Sequence, residues 1–326
     1  MICLGIESTA HTFGVGIMED EKGLSNVKDT YIPPQGWGIE PMKAAGHHKE
    51  KWEGVIHKAL EEAGLKQDDI DIVSFSQGPG LPPCLYVGLN VASNLASESN
   101  IPLVGVNHCI AHIEIGKLFS KLNDPVTLYV SGANTQIIAY VEQRYRCFGE
   151  TMDVGIGNAL DKFGREVGLG FPAGPKIEKE AQGGNYMELP YVVKGMDLSF
   201  SGVITNAIEK FKKGTSLQDT CFSFQETTFA MLAEVTERAM AHTAKNEVLL
   251  TGGVAANSRL QKMLETMARE RGGKFSVCPM QYAGDNGLMI AWQGLLQHNS
   301  KSNILNPEKA DILPRQRTDE VDVDWV

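Results

Sequence analysis

The chain has no CxxC pair, no excess of basic residues and no long apolar run, and each absence removes a class of protein. Its six cysteines (Cys3, Cys84, Cys109, Cys147, Cys221 and Cys278) are scattered along 326 residues. Such scatter argues for reduced, buried thiols in a cytoplasmic setting and against a disulfide framework. No segment approaches the roughly eighteen apolar residues of a membrane span, and the N-terminal stretch lacks a basic region followed by an apolar one. Neither a membrane span nor a signal peptide is expected. Lysine and arginine together number 30 against 40 aspartates and glutamates, a net charge of −10. Bulk charge therefore gives no sign of nucleic-acid binding, and such a role would need a local basic patch or basic partner subunits. What is present, 42% apolar and 21% charged residues, is a globular composition long enough for two cores.

The chain is organised around residues 128–140. Leu128, Val130, Ile138 and Tyr140 recur at period two around the run Ser131-Gly132-Ala133-Asn134-Thr135-Gln136. That pattern is two strands about a polar turn, and it is equally the pattern of an ordinary hairpin. Residues 4–17 repeat the layout: apolar strand, small polar turn with Thr9, apolar strand. Two such hairpins, each opening about half the chain, indicate a duplicated fold.

The remaining periodicities extend the repeat. In the first half, strands are expected over 2–8, 13–18 and 26–32, with a loop over 33–38. A helix should run from Pro41 to about Gly64, then a strand over 70–76 and a turn into a helix near 84–97. A strand over 102–106 then delivers His108 to a helix ending near Leu122. Asp124-Pro125 is the expected boundary. The second half repeats the order: strands over 126–131, 136–141 and 145–150, helices near 157–167, 201–212 and 217–243, a strand over 247–250, a helix from about Val254, a strand over 274–278 and a helix over 285–297. The class is α/β with duplicated mixed sheets, as lobes 1–124 and 125–284. The last helix, within 285–300, is expected to pack back on the first lobe, and 301–326 to be a surface arm.

Three constellations could carry chemistry. His108 and His112 stand four apart on one helix face and could share a metal, although H-x3-H alone is a weak signal. No glutamate lies between them to serve as the base of a zinc protease. Two further ligands must come from elsewhere, and Tyr129 and Asp285 are candidates, the latter equally readable as a helix N-cap. The strand–turn–helix at Gly252-Gly253, running on to Asn257, allows a base or phosphate close to a helix N-terminus, or is simply a tight connection. Asp161 and Glu178, with Gly174 nearby, are carboxylates of the kind that hold ribose hydroxyls, but spacing favours an exposed pair between Asp161 and Arg165.

The quoted motifs together resemble the family that makes threonylcarbamoyladenosine in tRNA, the TsaD-like proteins, in their archaeal and eukaryotic branch. There the family member is the catalytic subunit of the KEOPS complex. The matching stretches begin at Gly5, Phe75, Gly105, Tyr129, Gly149, Lys194, Gly252 and Asp285 and follow the family's order over nearly the whole chain. The resemblance implies the two-lobed actin/Hsp70/sugar-kinase (ASKHA) fold with a cleft between lobes. It also implies transfer of a threonylcarbamoyl group from threonylcarbamoyl-AMP to the exocyclic amine of the adenosine beside the anticodon, in tRNAs reading ANN codons. By motif, His108, His112, Tyr129 and Asp285 would hold one divalent metal, iron or zinc, with magnesium a further candidate. Ser131, Gly132 and Ala133, with Val130 and Asn134, would line the phosphate or carbonyl end of an adenine nucleotide, whether threonylcarbamoyl-AMP, ATP or an analogue. Asp161, Gly174, Glu178, Gly252, Gly253 and Asn257 would hold its nucleoside. Glu7 and His47 are the candidate bases. The implied partners are tRNA, a small atypical protein kinase and a small dimerising subunit in the cytoplasm, with no membrane. Lys210–Lys213 and residues 269–274 are candidate tRNA contacts.

The chain departs from the family pattern at Ser8, Tyr86, Ala133 and Ala173, where the family usually has glycine, arginine, glycine and glycine. If position 133 needed a left-handed backbone, its methyl group would cost about 1 kcal/mol. Tyr86 removes a cation that could touch tRNA. An ATPase or phosphotransferase of the same fold, a metallopeptidase and a non-catalytic scaffold are the alternatives.

Overall fold

The computed structural model describes residues 1–34 and 38–326. The expected loop over 33–38 thus falls partly on residues outside the described ones. The chain divides into two units: Met1–Leu118 with Glu142–Tyr145 and Asp285–Val326, and Phe119–Val141 with Arg146–Gly284.

The first unit opens with strands β1 (Ile2–Glu7), β2 (Thr12–Glu19) and β3 (Lys22–Thr30), and helix α1 (Pro41–Ala63) follows. Proline begins α1 and a left-handed Gly64 ends it, as the sequence requires. Then come β4 (Ile72–Gly78), α2 (Pro82–Ser99), β5 (Leu103–Asn107) and α3 (His108–Ser120). The first three strands are antiparallel, β4 runs parallel to β1, and β5 parallel to β4.

The second unit repeats this plan. Its strands β6 (Val126–Val130), β7 (Thr135–Val141) and β8 (Arg144–Glu150) lead to helices α4 (Ile156–Glu166) and α5 (Gly174–Glu180). A short ribbon of β9 (Val193–Lys194) and β10 (Asp197–Leu198) precedes α6 (Ser201–Lys212) and α7 (Leu217–Thr243). The unit closes with β11 (Glu247–Thr251), α8 (Ser258–Glu270), β12 (Lys274–Val277) and the short α9 (Met280–Ala283). The sheet order β8-β7-β6-β11-β12 matches β3-β2-β1-β4-β5 strand for strand. The duplication read from two hairpins is therefore a duplication of the whole sheet.

Helix α10 (Gly287–Asn299) then returns to the first unit, and β13 (Ile304–Leu305) adds to its sheet beside β5. α10 lies against β1 and β2 on a platform of glycines. Gly5 and Gly16 face each other in the β1–β2 ladder, and a Cβ on either would collide with the α10 backbone, at Ala291 or Leu288. Glycine here buys close approach rather than a turn.

Four expectations need correction. Helix α10 begins at Gly287, not Asp285, because Asn286 caps it by accepting from Met289 N at 3.0 Å. The helix expected from Val254 is a short 3-10 turn, and α8 starts only at Ser258, where the Asn257 side chain caps it. The expected Asp161–Arg165 surface pair gives way to a half-buried Asp161 that accepts the Ala173 N–H at 2.8 Å. The C-terminal segment is no surface arm: beyond β13, Ile312, Thr318 and Val323 are buried. Leu313 N bonds Gln77 O at 2.7 Å, and Trp325 Nε1 reaches the buried Glu114 at 3.0 Å.

Candidate functional site

In the first unit the ends of β1 and β5 lie two strands apart in the sheet, and each supplies part of one cluster. Asn107 ends β5, and its side-chain oxygen accepts the N–H groups of Cys109 and Ile110 at 3.0 and 3.2 Å. That cap starts α3 at His108, which sets His108 and His112 one turn apart on one face. Asp285 is placed in the same way, one residue before the capping Asn286. Because Asn286 does the capping, the Asp285 carboxylate is turned to other work.

His108 Nε2 lies 3.6 Å and His112 Nε2 3.4 Å from Asp285 Oδ1. Donor atoms of the three residues all fall within 4.8 Å of one another, the only such trio among the described residues. Two ligands about 2.1 Å from one ion at the tetrahedral angle stand about 3.4 Å apart, so the spacing fits a shared metal. Two imidazole nitrogens and a carboxylate oxygen are also a donor set suited to a first-row divalent ion.

The cluster is supported from behind. His108 Nδ1 donates to Glu7 Oε2 at 2.9 Å, and Glu7 Oε1 accepts the Thr9 N–H at 2.7 Å and the Thr9 hydroxyl. Glu7 is fully buried at the end of β1. Because a carboxylate only accepts, this bond fixes the His108 tautomer and leaves Nε2 facing Asp285. Burial alone would lower the His108 pKa, but the Glu7 carboxylate outweighs it and raises it to about 9. Burial lowers that of His112. For Asp285 burial acts upward, but His112 and His108 hold it well below the usual carboxylate range. Lys28 adds a cation, its Nζ 3.2 Å from the Asp285 carbonyl.

His47 is not part of this cluster. Its Nε2 pairs with Asp29 at 2.8 Å and its Nδ1 lies 3.3 Å from His48 Nδ1.

The second unit carries the other expected residues. Tyr129 is buried within β6. Residues 131–134 form a tight turn, with Ser131 N bonded to Asn134 O at 2.8 Å and Asn134 N to Ser131 Oγ at 3.1 Å. The first turn of α4 backs it: Gly157 N reaches Ser131 O at 3.1 Å and Asn158 N reaches Gly132 O at 2.9 Å. Gly132 and Ala133 are exposed, and their N–H groups have no intramolecular partner among the described residues. The backbone of Ala133 is not left-handed, so its methyl group is not strained.

Beside that turn is a cavity of about 210 Å³ whose lining includes Gly132, Asp161, Gly174, Glu178, Gly253 and Asn257. Four separate stretches of sequence thus converge on one hollow. Burial raises the pKa of Asp161. Glu178 accepts the Ser258 N–H at 2.8 Å and its hydroxyl. Asn257 lines the cavity, but its side chain is already engaged, by the cap of α8 and by Gln225 at 3.2 Å. Gly252 serves packing: its φ is +98°, and a Cβ there would strike the Val130 carbonyl. Ala173 is buried with its Cβ toward Gly164. A larger cavity, about 840 Å³, lies between α7 and α8 and contains none of the expected residues.

A duplicated β-sheet unit, with a candidate metal trio in one copy and a carboxylate-lined hollow in the other, defines a duplicated α/β fold class. Solved structures agree. Full-length HypF in its phosphate- and nucleotide-bound form matches with a TM-score of 0.64 at 12% identity, over 92% of this chain and 47% of that one. The activator of 2-hydroxyisocaproyl-CoA dehydratase from Clostridium difficile matches at 0.54 and 11%, over 96% and 100%. The model of the family described as "TsaD: tRNA N6-adenosine threonylcarbamoyltransferase" matches residues 23–292, and the chain belongs to that family. A tRNA N6-adenosine threonylcarbamoyltransferase of Thermococcus sibiricus is 55% identical over the full length of both chains. A probable bifunctional tRNA threonylcarbamoyladenosine biosynthesis protein of Methanobrevibacter smithii is 53% identical, and this chain spans 60% of its length. Among the described residues no helix is long and apolar enough to cross a membrane.

Proposed function

We propose that the chain transfers a threonylcarbamoyl group to the N6 amine of an adenosine in tRNA. The observation that carries the reading is the trio His108, His112 and Asp285, backed by Glu7, in a chain 55% identical end to end to a transferase of that name. The donor is threonylcarbamoyl-AMP and the acceptor the adenosine beside the anticodon of tRNAs reading ANN codons.

The reaction is an acyl transfer. The adenosine N6 attacks the carbamoyl carbon, the bond from that carbon to the phosphate oxygen breaks, AMP leaves, and the amine gives up one proton. Asp161 and Glu178 hold the nucleoside of the donor. The amides of Gly132 and Ala133 point a positive edge at its phosphate or at the developing oxyanion. AMP is a good leaving group, so fixing the amine in line matters more than a strong base. Glu7 is spent on His108 and acts by orienting it. His108, His112 and Asp285, with Tyr129 by the family motif, would hold an iron or zinc ion, which would supply Lewis-acid polarisation of an oxygen.

The reading places the protein in the cytoplasm, in a complex with a small atypical kinase and a small dimerising subunit, with 1–124 and 125–284 as its lobes. Single-turnover transfer from threonylcarbamoyl-AMP to tRNA, with such basic subunits added, tests it. Modified adenosine in the digested tRNA supports the reading. Nucleotide hydrolysis without any modified adenosine would turn it into an ATPase.

A further inference from the structure

The C-terminal segment, expected from the sequence to be a surface arm, is pinned against the ends of β4 and β5, the latter leading into α3. Gln77 Nε2 bonds Asp311 O at 2.9 Å, and Leu313 N bonds Gln77 O at 2.7 Å. Pro314 O accepts from Gly80 N at 3.2 Å. Gln316 Oε1 accepts from the side chain of Asn107, the residue before His108, at 3.1 Å. Thr318 is buried against Cys109, the residue after His108. Residues 311–318 therefore form a fixed border to the start of α3.

Arg315 sits in the middle of that border. It is exposed, and among the described residues no ion pair to a carboxylate is found for it. Its guanidinium is therefore available to an anion in a chain whose net charge is −10. It lines a cavity of about 530 Å³ with Pro82, Leu313, Pro314 and Gln316. Glu320, also on the lining, is already bonded to the Arg317 N–H at 3.0 Å. Tyr86 shares the face of α2 with Pro82 one turn further on and is 47% exposed.

We propose that this cavity seats one nucleotide of the tRNA substrate, with a phosphate on Arg315 and the base against Pro82, Pro314 and the Tyr86 ring. The chemistry fits a single-stranded nucleotide: a guanidinium for the phosphate, flat apolar walls and an aromatic plane for a splayed base. The volume is within the roughly 300–1,000 Å³ of sites for small ligands. The chain's overall charge repels a polyanion, so a local cation on a backbone segment fixed by hydrogen bonds is a source of attraction within the chain itself. This seat rests on the transferase reading and adds to it a residue that holds the acceptor rather than the donor.

The test measures tRNA binding and transfer separately, for the full chain with its basic subunits, over a range of salt. Arg315→Ala should weaken tRNA binding about 5–20-fold and flatten the slope of log affinity against log salt by about 0.7, the loss of one single-strand phosphate contact. The KM for threonylcarbamoyl-AMP should not move. Arg315→Lys should keep the slope. Tyr86→Ala should weaken tRNA binding with the slope unchanged. Lys262→Ala, which removes an exposed charge paired with Glu265 on α8, should match the wild type. An unchanged slope in Arg315→Ala, an equal loss in Lys262→Ala, or a fall in kcat with tRNA affinity intact would overturn the seat. A wild type that binds tRNA without modifying it would sink the transferase reading, and the salt slopes would still decide the seat.

Discussion

The Glu7 carboxylate, at the end of the first strand, lies 2.9 Å from Nδ1 of His108, the first residue of α3. That one bond sets which nitrogen of His108 faces Asp285. Glu7→Gln keeps an acceptor but removes the charge that makes the ring a better donor. Apparent metal affinity should fall about 10–100-fold, read by titration against a competing chelator. Unchanged affinity would mean the ring is held by packing alone.

His112 is 1% exposed, so its loss acts on both metal and fold. His112→Ala should lose stoichiometric metal in elemental analysis and melt several degrees lower. A chelator should lower the melting temperature of the wild type and leave that of the variant where it is.

In the second unit, Asp161→Asn keeps the bond from Ala173 N and loses the negative charge over the cavity. Affinity for adenine nucleotides should drop about tenfold, near 1.4 kcal/mol, by calorimetry. The melting temperature should barely move. A large fall in stability with nucleotide affinity intact would assign Asp161 to folding alone.

Gly5→Ala puts a methyl group into the backbone of α10. Neither strand nor helix can give way cheaply, and the cost should be about 3 kcal/mol or more in denaturant unfolding. The same change at Gly54, with open space around it, should be tolerated.

His48 supplies a pH dependence. Burial lowers its pKa from 6.5 to about 4, although the Ala10 carbonyl, 3.1 Å from its Nε2, acts upward. Between those values the unfolded chain takes up a proton that the folded chain refuses. Stability contributed by this site is therefore present above about pH 6.5 and lost as pH falls toward 4, by about 1–2 kcal/mol after screening. His48→Gln should flatten the melting temperature over that range.

Local patterns in the sequence carried much of this structure. Period-two runs marked both hairpins, Pro41 and Gly64 marked both ends of α1, and the H-x3-H spacing put two imidazoles on one face. What stayed hidden was set by contacts between distant segments. Nothing near Asp285 says that Asn286 is the residue that caps. Gly5 and Gly16 look like weak strand residues until α10 lies across them. Glu7 read as a candidate base because its partner, His108, follows six intervening strands and helices. Asp161 read as a surface charge because Ala173, which buries it, follows a turn. The tail looked loose because the strand ends and α3, which hold it, come much earlier in the chain.

Helix α10 and Asp285, two residues before it, come back to the first unit only after the whole second unit has been threaded. During synthesis, both imidazoles of α3 leave the ribosome early and their carboxylate partner comes late. Until then the glycine platform on β1 and β2 has no helix to cover it, and the trio lacks its third donor. A chain halted anywhere in the second unit would expose a bare sheet face and hold metal poorly, which makes it a natural target for chaperones or proteases. A metal held by the trio would thus be bound only once residue 285 has been made, and its occupancy would report that α10 has reached the first unit.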